Sequence, residues 1–511
     1  MKKNFVIFIL MIVLSTFVIS CKGAAVNIRA QTLIIAMSSD VITMDPSAEN
    51  DSYSANAMMQ MYEGLLAFTP NNEVISALTE KYDISTDGME YTFYLKKGIK
   101  FHNGEELKAD DVVFSYLRAF TSPAAAHIFS DIDHDSLRAL DDYTVTFRMK
   151  VPYAGILTAL CHPSAYIVNK KTVEAAGNQY AENPIGTGPY KFVSHTKSDK
   201  IKFERYEYYQ GKKPYYKYLE FRIIPDPTNR IIELESGRAD IVYDISSNDL
   251  DRFTENNEIK LMRCFDYLTQ FMGMNCSKPP LDDIRVRQAI ACAIDTDQIV
   301  KTVWKDLGRT ATCPYSPTIR YSIANKLKPI PRDVEKAKKL LKEAGYENGF
   351  KIRLSTNDRK ERIDMAIIMK EQFKDVGIDL SIEIFEWPKY IEMLEKGEHQ
   401  LFEISWFSDT PDPDMFVHPC FHSISRGVGG NYFFLNDPEL DELITKGRYV
   451  LDGSERANIY KQIQERIMYL TPAVFQYNGE QAAGIRGNIT GLHLSPLGHH
   501  FLGNIRPVDS N

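Results

Sequence analysis

The stretch DVEKAKKLLKEAGYENGFKIRLS, residues 333–355, joins a predicted helix to a predicted strand. Asp333 suits the N-cap of the helix, and Gly345 suits its end, because glycine adopts the left-handed conformation at little cost. Apolar residues recur between them at helical spacing: Ala337, Leu340, Leu341 and Ala344. KIRLS then follows as a short strand. Helix followed directly by strand predicts an α/β fold.

Similar segments lie along the whole chain. TLIIAM (32–37) is a short apolar run typical of a buried strand, and 91–98, 143–150 and 379–385 also have strand patterns. Helices are predicted at 108–120, 283–294 and about 360–376. The alternation predicts α/β lobes.

Composition limits the class of protein. The chain has 511 residues, 44% of them hydrophobic and 25% charged, which is ordinary for a globular protein. This length allows roughly two to four domains. The net charge is −8, so there is no basic excess to neutralise phosphates. We therefore expect no nucleic-acid partner.

The N-terminus, MKKNFVIFILMIVLSTFVISC, has the pattern of a secretory signal peptide. Lys2 and Lys3 precede an apolar run that ends at Cys21, and the last residues of the run resemble a bacterial lipobox. We predict a signal peptide over 1–20, lipidation of Cys21 and a lipidated tether over 21–31. The alternative is a transmembrane anchor, or a cleaved signal with a chance cysteine.

Motifs for other chemistries are weak. His418-x-Cys420-x-His422 has alternate spacing, but Pro419 argues against a regular strand, so we predict no metal site. The acids of 409–414 share one proline-broken loop and cannot easily flank a substrate, and no nucleophile elbow or nucleotide loop occurs. We predict no enzymatic activity and no cofactor. Six cysteines beyond Cys21 leave disulfide pairing open.

A series of stretches resembles one family, the peptide-class (family 5) solute-binding proteins of ABC importers, which include oligopeptide- and dipeptide-binding lipoproteins. The similarity covers nearly the whole chain after Cys21. In order, the stretches are TMDP (43–46), YEGLL (62–66), 84–118, NPIGTGPYKF (183–192), LESGRADI (234–241), 283–300, ISWFSDTPDPDMF (404–416) and NYFFLNDPELDELI (431–444).

The resemblance implies an α/β, two-lobed periplasmic-binding-protein-like fold of type II, with an extra subdomain and a hinge. Lobe 1 would span 32–270 plus 479–511, with the inserted subdomain at about 63–182. Lobe 2 would span 271–478. The chain would cross between lobes near 270–275 and 472–478, two extended-looking runs that suit hinge strands.

The resemblance also implies ligand-binding residues. Asp409 of the Trp-x-x-Asp motif would pair with the amino terminus of a bound peptide, since a buried ammonium needs a fixed opposite charge. The alternatives are that Asp409 only caps a proline turn and that Trp387 is a core residue. Asp412 and Asp414 are predicted to be solvated turn residues. The other predicted ligand-binding residues are Trp406, Phe407, Ser408, Trp387, Asn50, Asp51, Ser52 and Tyr53, with Glu49 beside them.

The function implied is capture of oligopeptides and delivery to an ABC permease with its ATPase subunits. We expect a monomer in the cell envelope, lipid-anchored at the periplasmic or extracellular face. One departure leaves the peptide open: the strand EHQLFEIS (398–405) lacks the arginines with which some relatives hold the peptide carboxylate, and it contains Glu403. The alternatives are a nickel chelate, a sugar or another non-peptide solute, or a surface receptor or adhesin.

Overall fold

The computed structural model describes residues 28–49, 51–305 and 307–508. The predicted signal peptide, Cys21 and Asn50 lie outside these residues. In the described part, no helix has both the length and the apolar character needed to cross a bilayer. Arg29, which the sequence places in the tether, belongs to the folded body, because its guanidinium pairs with the Asp240 carboxylate at 2.8 Å. The rest of the tether predicted over 21–31 lies mostly outside the described residues and stays a prediction.

The described residues form a mixed α/β structure. The strands are β1 (Thr32–Met37), β2 (Leu66–Phe68), β3 (Val74–Ser76), β4 (Thr79–Ile84), β5 (Glu90–Leu95), β6 (Ile132–Asp141), β7 (Thr144–Met149), β8 (Tyr190–Thr196), β9 (Lys200–Arg205), β10 (Tyr218–Ile223), β11 (Ile241–Tyr243), β12 (Ile259–Met274), β13 (Arg309–Thr310), β14 (Phe350–Asn357), β15 (Ile378–Phe385), β16 (Leu401–Phe407), β17 (Ala473–Arg486), β18 (Ile489–Thr490) and β19 (Arg506–Pro507). The α-helices are α1 (Ser52–Met58), α2 (Ala109–Thr121), α3 (Ile156–Ala159), α4 (Lys170–Ala176), α5 (Pro227–Glu235), α6 (Arg252–Glu255), α7 (Ile284–Ala293), α8 (Thr296–Val303), α9 (Val334–Glu343), α10 (Lys360–Lys374), α11 (Trp387–Glu395), α12 (Asp414–Phe421), α13 (Pro438–Tyr449) and α14 (Ser454–Leu470).

The predicted elements are confirmed. α9 begins after an Asp333 N-cap whose side chain accepts the Lys336 N–H, and Gly345 has a φ of +85°. The strand and helix patterns at 32–37, 108–120, 283–294 and 360–376 correspond to β1, α2, α7 and α10. All six described cysteines are free thiols.

An 11-stranded sheet runs through the molecule in the order β15-β14-β16-β12-β17-β11-β1-β10-β9-β8, with β13 paired to β17. The long central pair, β12 and β17, joins its two halves. The second half of β12 pairs with β16, whereas the second half of β17 pairs with β11. Apolar side chains of the two halves pack into different cores.

The pairing of β12 with β17 is interrupted at its middle. The register shifts between Phe265, opposite Glu480, and Thr269, opposite Asn478. Gly479 lies at this interruption, where a Cβ atom would stand 2.4 Å from a carboxylate oxygen of Asp266. Only glycine fits this close approach without a shift of its neighbour.

A second sheet lies between the first strand and the rest of the main sheet in sequence. It has the order β4-β5-β7-β6 and packs with α2. Its apolar core is built from residues 65–167, and among the described residues it contains no buried one from outside that range. An independent core of this kind is typical of a subdomain.

Candidate functional site

Strand β16 brings Asp409 to the edge of the main sheet. β16 runs parallel to β14 and antiparallel to β12, and it ends at Phe407. The backbone N–H of Ser408 still donates to Tyr267 O at 3.4 Å. In α/β sheets, ligands bind beyond the carboxyl ends of such strands. Asp409 therefore lies at the edge where a ligand is expected.

The two acids that follow are buried, so the prediction of solvated turn residues is wrong. Asp412 is 0% exposed and accepts two hydrogen bonds from Arg456, at 2.7 and 2.9 Å. Asp414 begins α12 and pairs with Arg448. These pairs hold the loop after Asp409 against α13 and α14, which suits a carboxylate that must be presented from a rigid support.

The segment after β1 forms the opposite wall. Asp45 accepts from the guanidinium of Arg118 on α2 and caps the short turn that precedes Glu49. Asp51 is the N-cap of α1, where its Oδ1 accepts the Ser54 N–H at 2.8 Å. Capping and ion pairing together fix Glu49 and Asp51 in this wall.

The C-terminal segment closes one side of the site. Asn56 donates to Gly498 O at 2.7 Å and accepts the His500 N–H at 2.8 Å. Gln60 donates to His500 O and accepts the Leu502 N–H. Two side-chain amides, one on α1 and one just after it, thereby hold a segment that lies 440 or more residues later in the chain.

A cavity of about 180 Å³ lies between these walls. It brings Glu49, Asp51 and Ser52 together with Phe407 and Asp409. The remaining lining residues are Ala55, Ala124, Ile128, His162, Leu497 and His499. None of these described residues is a lysine or an arginine, so the cavity has three carboxylates and no permanent cation among them.

Burial and mutual repulsion change the acidity of this cluster. Burial, with the charges of Asp51 and Asp409, raises the pKa of Glu49 to about 8, against hydrogen bonds from the Asp51 backbone and Ser164. Burial also lowers the pKa of His499 to about 3. At neutral pH the site therefore holds a protonated Glu49 and a neutral His499.

Two carboxyl oxygens of the cluster lack hydrogen-bond partners. Glu49 is 5% exposed, and its Oε2 and the Oδ2 of Asp51 are buried without a donor. The Nδ1 of His162 lies 3.8 Å from Glu49 Oε2 but accepts the backbone N–H of Ser164 at 3.2 Å. This contact is an ion pair only when the imidazole of His162 is protonated.

Several predicted residues lie outside the cavity. The indole N–H of Trp406 donates to Met415 O at 2.9 Å, and Ser408 is buried beneath the strand end. Tyr53 bonds to Ser38 and Asp244 through its hydroxyl. Trp387 is 46% exposed, with the Arg362 guanidinium 5.9 Å from its ring, so it is not a core residue. Their ligand-binding roles stay predictions.

An arginine from helix α10 contacts β16, the strand that has no arginine of its own. Glu403 is buried and accepts hydrogen bonds from Gln270 at 2.7 Å and Gln476 at 2.8 Å. Arg362 of α10 donates to Ser405 at 2.8 Å and to Asn357 at 3.0 Å. Glu403 therefore serves the hydrogen-bond network of the sheet.

A larger cavity of about 750 Å³ adjoins the first at Leu497 and His499. It lies between the subdomain and the segments 187–211 and 491–504, and its described lining contains none of the predicted ligand-binding residues.

Sequence reasoning missed the cavity residues that lie far along the chain from the ligand-binding motifs. His162, Leu497 and His499 line the small cavity but belong to no quoted motif. The sequence singles out His499 only as one of a histidine pair. In the described part of the chain, no cluster of His, Cys, Asp and Glu side chains could hold a metal, and His418 and His422 lie one turn apart along α12 and its C-cap.

Comparison with known proteins identifies the family of the chain. Residues 73–427 match the family described as bacterial extracellular solute-binding proteins, family 5. The chain belongs to this family. It is 30% identical to the dipeptide-binding protein of Escherichia coli K12, over 94% of this chain and 95% of the relative.

Solved structures agree with the family 5 assignment. HbpA2 from Haemophilus parasuis is 26% identical and superposes with a TM-score of 0.87, over 93% of this chain and 99% of that chain. The periplasmic binding protein DppA from Helicobacter pylori, solved with the peptide STSA, is 28% identical with a TM-score of 0.74, over 93% and 98%. The fold is the two-lobed fold of family 5 binding proteins, and the family consists of solute-binding proteins and not of enzymes.

Proposed function

We propose that this family 5 protein captures peptides between its two lobes and delivers them to an ABC importer. The observation that carries the proposal is the position of Asp409, at the carboxyl end of β16 in a cavity with two more carboxylates and no lysine or arginine in its described lining. Such a site favours a positively charged ligand group, and the amino terminus of a peptide is one.

Related proteins support a peptide in particular. The relative from E. coli is named for dipeptide binding, and the H. pylori structure contains a peptide. Main-chain pairing with an extended peptide would add affinity without strong side-chain selection. Partners would be the permease and its ATPase subunits, with the binding protein as a monomer.

The proposed lobes follow the sheet. We assign residues 32–270 and 479–511 to lobe 1, with 63–182 as its subdomain, and 271–478 to lobe 2. The register shift of β12 against β17 lies within a few residues of these boundaries and supports a hinge there. Opening about this hinge would separate Asp409 from Glu49 and Asp51, which line one cavity in the structure.

The test has two steps. Mass spectrometry of whatever co-purifies with the protein, released by denaturation, should give a mixture of short peptides. A member of that mixture should then bind by calorimetry, and its N-acetylated form, which lacks the ammonium, should bind at least tenfold more weakly. A co-purified sugar or metal chelate, or equal binding of both peptides, would contradict the proposal.

Lipid anchoring rests on the sequence alone. We infer that Cys21 is acylated after removal of residues 1–20, which would hold the protein at the membrane surface. Cys21→Ser should move the protein from the membrane fraction to the soluble fraction. An unchanged distribution would contradict the anchor without affecting the ligand.

A further inference from the structure

The small cavity contains three carboxyl groups, more than one peptide amino terminus can bind. If Asp409 pairs with the ammonium, as the proposed function requires, the carboxyl groups of Glu49 and Asp51 remain. Each has a buried oxygen without a hydrogen-bond donor. An unsatisfied buried carboxyl oxygen is costly, and at a ligand cavity a donor of the ligand can satisfy it.

Acids elsewhere in the same segment do have partners. Asp45, four residues before Glu49, is paired with Arg118 and accepts the Ser47 N–H. The protein therefore provides an arginine to the acid that shapes the loop, and none to Glu49. This difference separates a structural carboxylate from one that faces a ligand.

A bound metal ion does not account for the cluster, because no described group of three or more His, Cys, Asp and Glu side chains could hold one. The neighbouring histidines do not account for it either. The Nδ1 of His162 accepts from Ser164, and Nδ1 of His499 is buried without a partner. These histidines offer Glu49 no fixed positive charge.

The positions of the carboxyl groups limit where the second donor can be. Glu49 and Asp51 line the same cavity of about 180 Å³ as Asp409, and the charge of Asp409 acts on Glu49. A donor that reaches Glu49 while the ammonium lies on Asp409 is therefore close to the amino terminus of the ligand.

We propose that the ligand has a second cation on its first residue, so that the site selects peptides that begin with lysine, ornithine or arginine. The α-ammonium binds Asp409, and the side-chain cation binds Glu49 and Asp51. Three or more N–H donors on such a group satisfy the two orphaned oxygens. This inference rests on the proposed peptide function.

Proton release should accompany this binding. The titratable groups near Glu49 are Asp51, Asp409, His162, His499 and Tyr166. Because the pKa of Glu49 is about 8 without a ligand cation, a cation beside it must displace its proton at pH 6 or 7. The preference for a cationic first residue should therefore grow several-fold from pH 6 to pH 8, where the lysine side chain stays charged.

The experiment compares two matched peptides, Lys-Ala-Ala and norleucine-Ala-Ala, which differ by the side-chain ammonium. Calorimetry with the wild-type protein should show at least tenfold tighter binding of the lysine peptide. Glu49→Gln should reduce that ratio by about tenfold, and Asp51→Asn, which keeps a capping oxygen, should reduce it too. Glu80→Gln, an exposed carboxylate on β4, is the matched control and should leave it unchanged.

The outcomes are separable. Equal affinity of the two peptides in the wild-type protein overturns the selectivity and leaves the peptide function standing. If folded Glu49→Gln keeps the full preference for the lysine peptide, the side-chain cation does not bind at Glu49. That result also overturns the proposal. Binding of neither peptide, with no peptide co-purified, overturns both. Because the wild-type comparison needs no variant, a folding defect in Glu49→Gln cannot hide the result.

Discussion

Two sets of carboxylates in this protein look alike in sequence but differ in their surroundings. Asp412 and Asp414 are buried against Arg456 and Arg448. Asp409, three residues before Asp412, shares a cavity with Glu49 and Asp51 that has no arginine or lysine in its described lining. The first set is neutralised by the arginines of the protein itself. The second set lines the cavity in which we propose that the ligand cation binds.

The largest effect is expected from the arginine-paired set. Arg456→Met leaves Asp412 buried without its guanidinium, so the free energy of unfolding should fall by about 3–5 kcal/mol. Urea unfolding measures this change. A double variant with Asp412→Leu should recover most of it, since no buried charge is then left without its partner. If Arg456→Met is as stable as the wild type, Asp412 does not depend on its arginine, and the contrast between the two sets of carboxylates fails.

Removal of the Asp409 charge should affect peptide binding and leave folding nearly unchanged. Asp409→Asn should weaken peptide affinity by about 2–5 kcal/mol, because the peptide ammonium then lacks its partner. Calorimetry measures the affinity, and thermal unfolding of the ligand-free protein should be nearly unchanged. Full affinity in a folded Asp409→Asn would end the amine-anchor role.

The ligand-free protein should gain stability when the charge of Glu49 is removed. The pKa of Glu49 is about 8 when folded against 4.5 as an ordinary side chain, so the folded state binds one proton more between these values. Stability from this group is therefore present below pH 4.5 and lost as the pH rises to about 8. Glu49→Gln should stabilise the ligand-free protein by roughly 4 kcal/mol at pH 8.

The same variant should differ little from wild type at pH 4.5, where the folded protein keeps Glu49 protonated and the unfolded chain is about half protonated. Melting temperatures at the two pH values test this, with Glu80→Gln as the control. A pH-independent difference would mean that the Glu49→Gln substitution acts through packing and not through charge.

The smallest effect concerns Trp387. Its ring is 46% exposed, so Trp387→Ala should change the free energy of unfolding by no more than about 0.5 kcal/mol. If the ring lines the closed cleft as predicted, peptide affinity should still fall several-fold. Loss of stability with unchanged peptide affinity would show that Trp387 has a structural role and not a ligand-binding role.

Periodicity predicted most elements of the fold because the patterns of α9, β1 and α7 are local. It did not predict that β12 is one strand of 16 residues with an interruption, because that property depends on the distant β17. The prediction for Asp412 is wrong for the same reason. Its neighbouring prolines indicate an exposed turn, whereas its partner Arg456 lies 44 residues further on.

The sequence predicted residues of the site only where they belong to a recognisable motif. Asp409 follows from Trp-x-x-Asp, and Asp51 and Ser52 follow from their place after TMDP. His162 and His499 belong to no motif. His499 reaches the cavity only because Asn56 and Gln60 hold the C-terminal segment. No local pattern in 495–502 indicates that contact.

The interrupted pair of β12 and β17 has a mechanical consequence. Two antiparallel strands that are hydrogen-bonded on both sides of a short defect resist sliding and stretching, but they can twist at the defect. If the proposed hinge lies here, the pair would act as a single flexure, with its bending concentrated at 266–268 and Gly479. Cargoes of different chemistry would then drive rotation about the same axis, and an importer could recognise a loaded receptor by one angle without contacting the cargo.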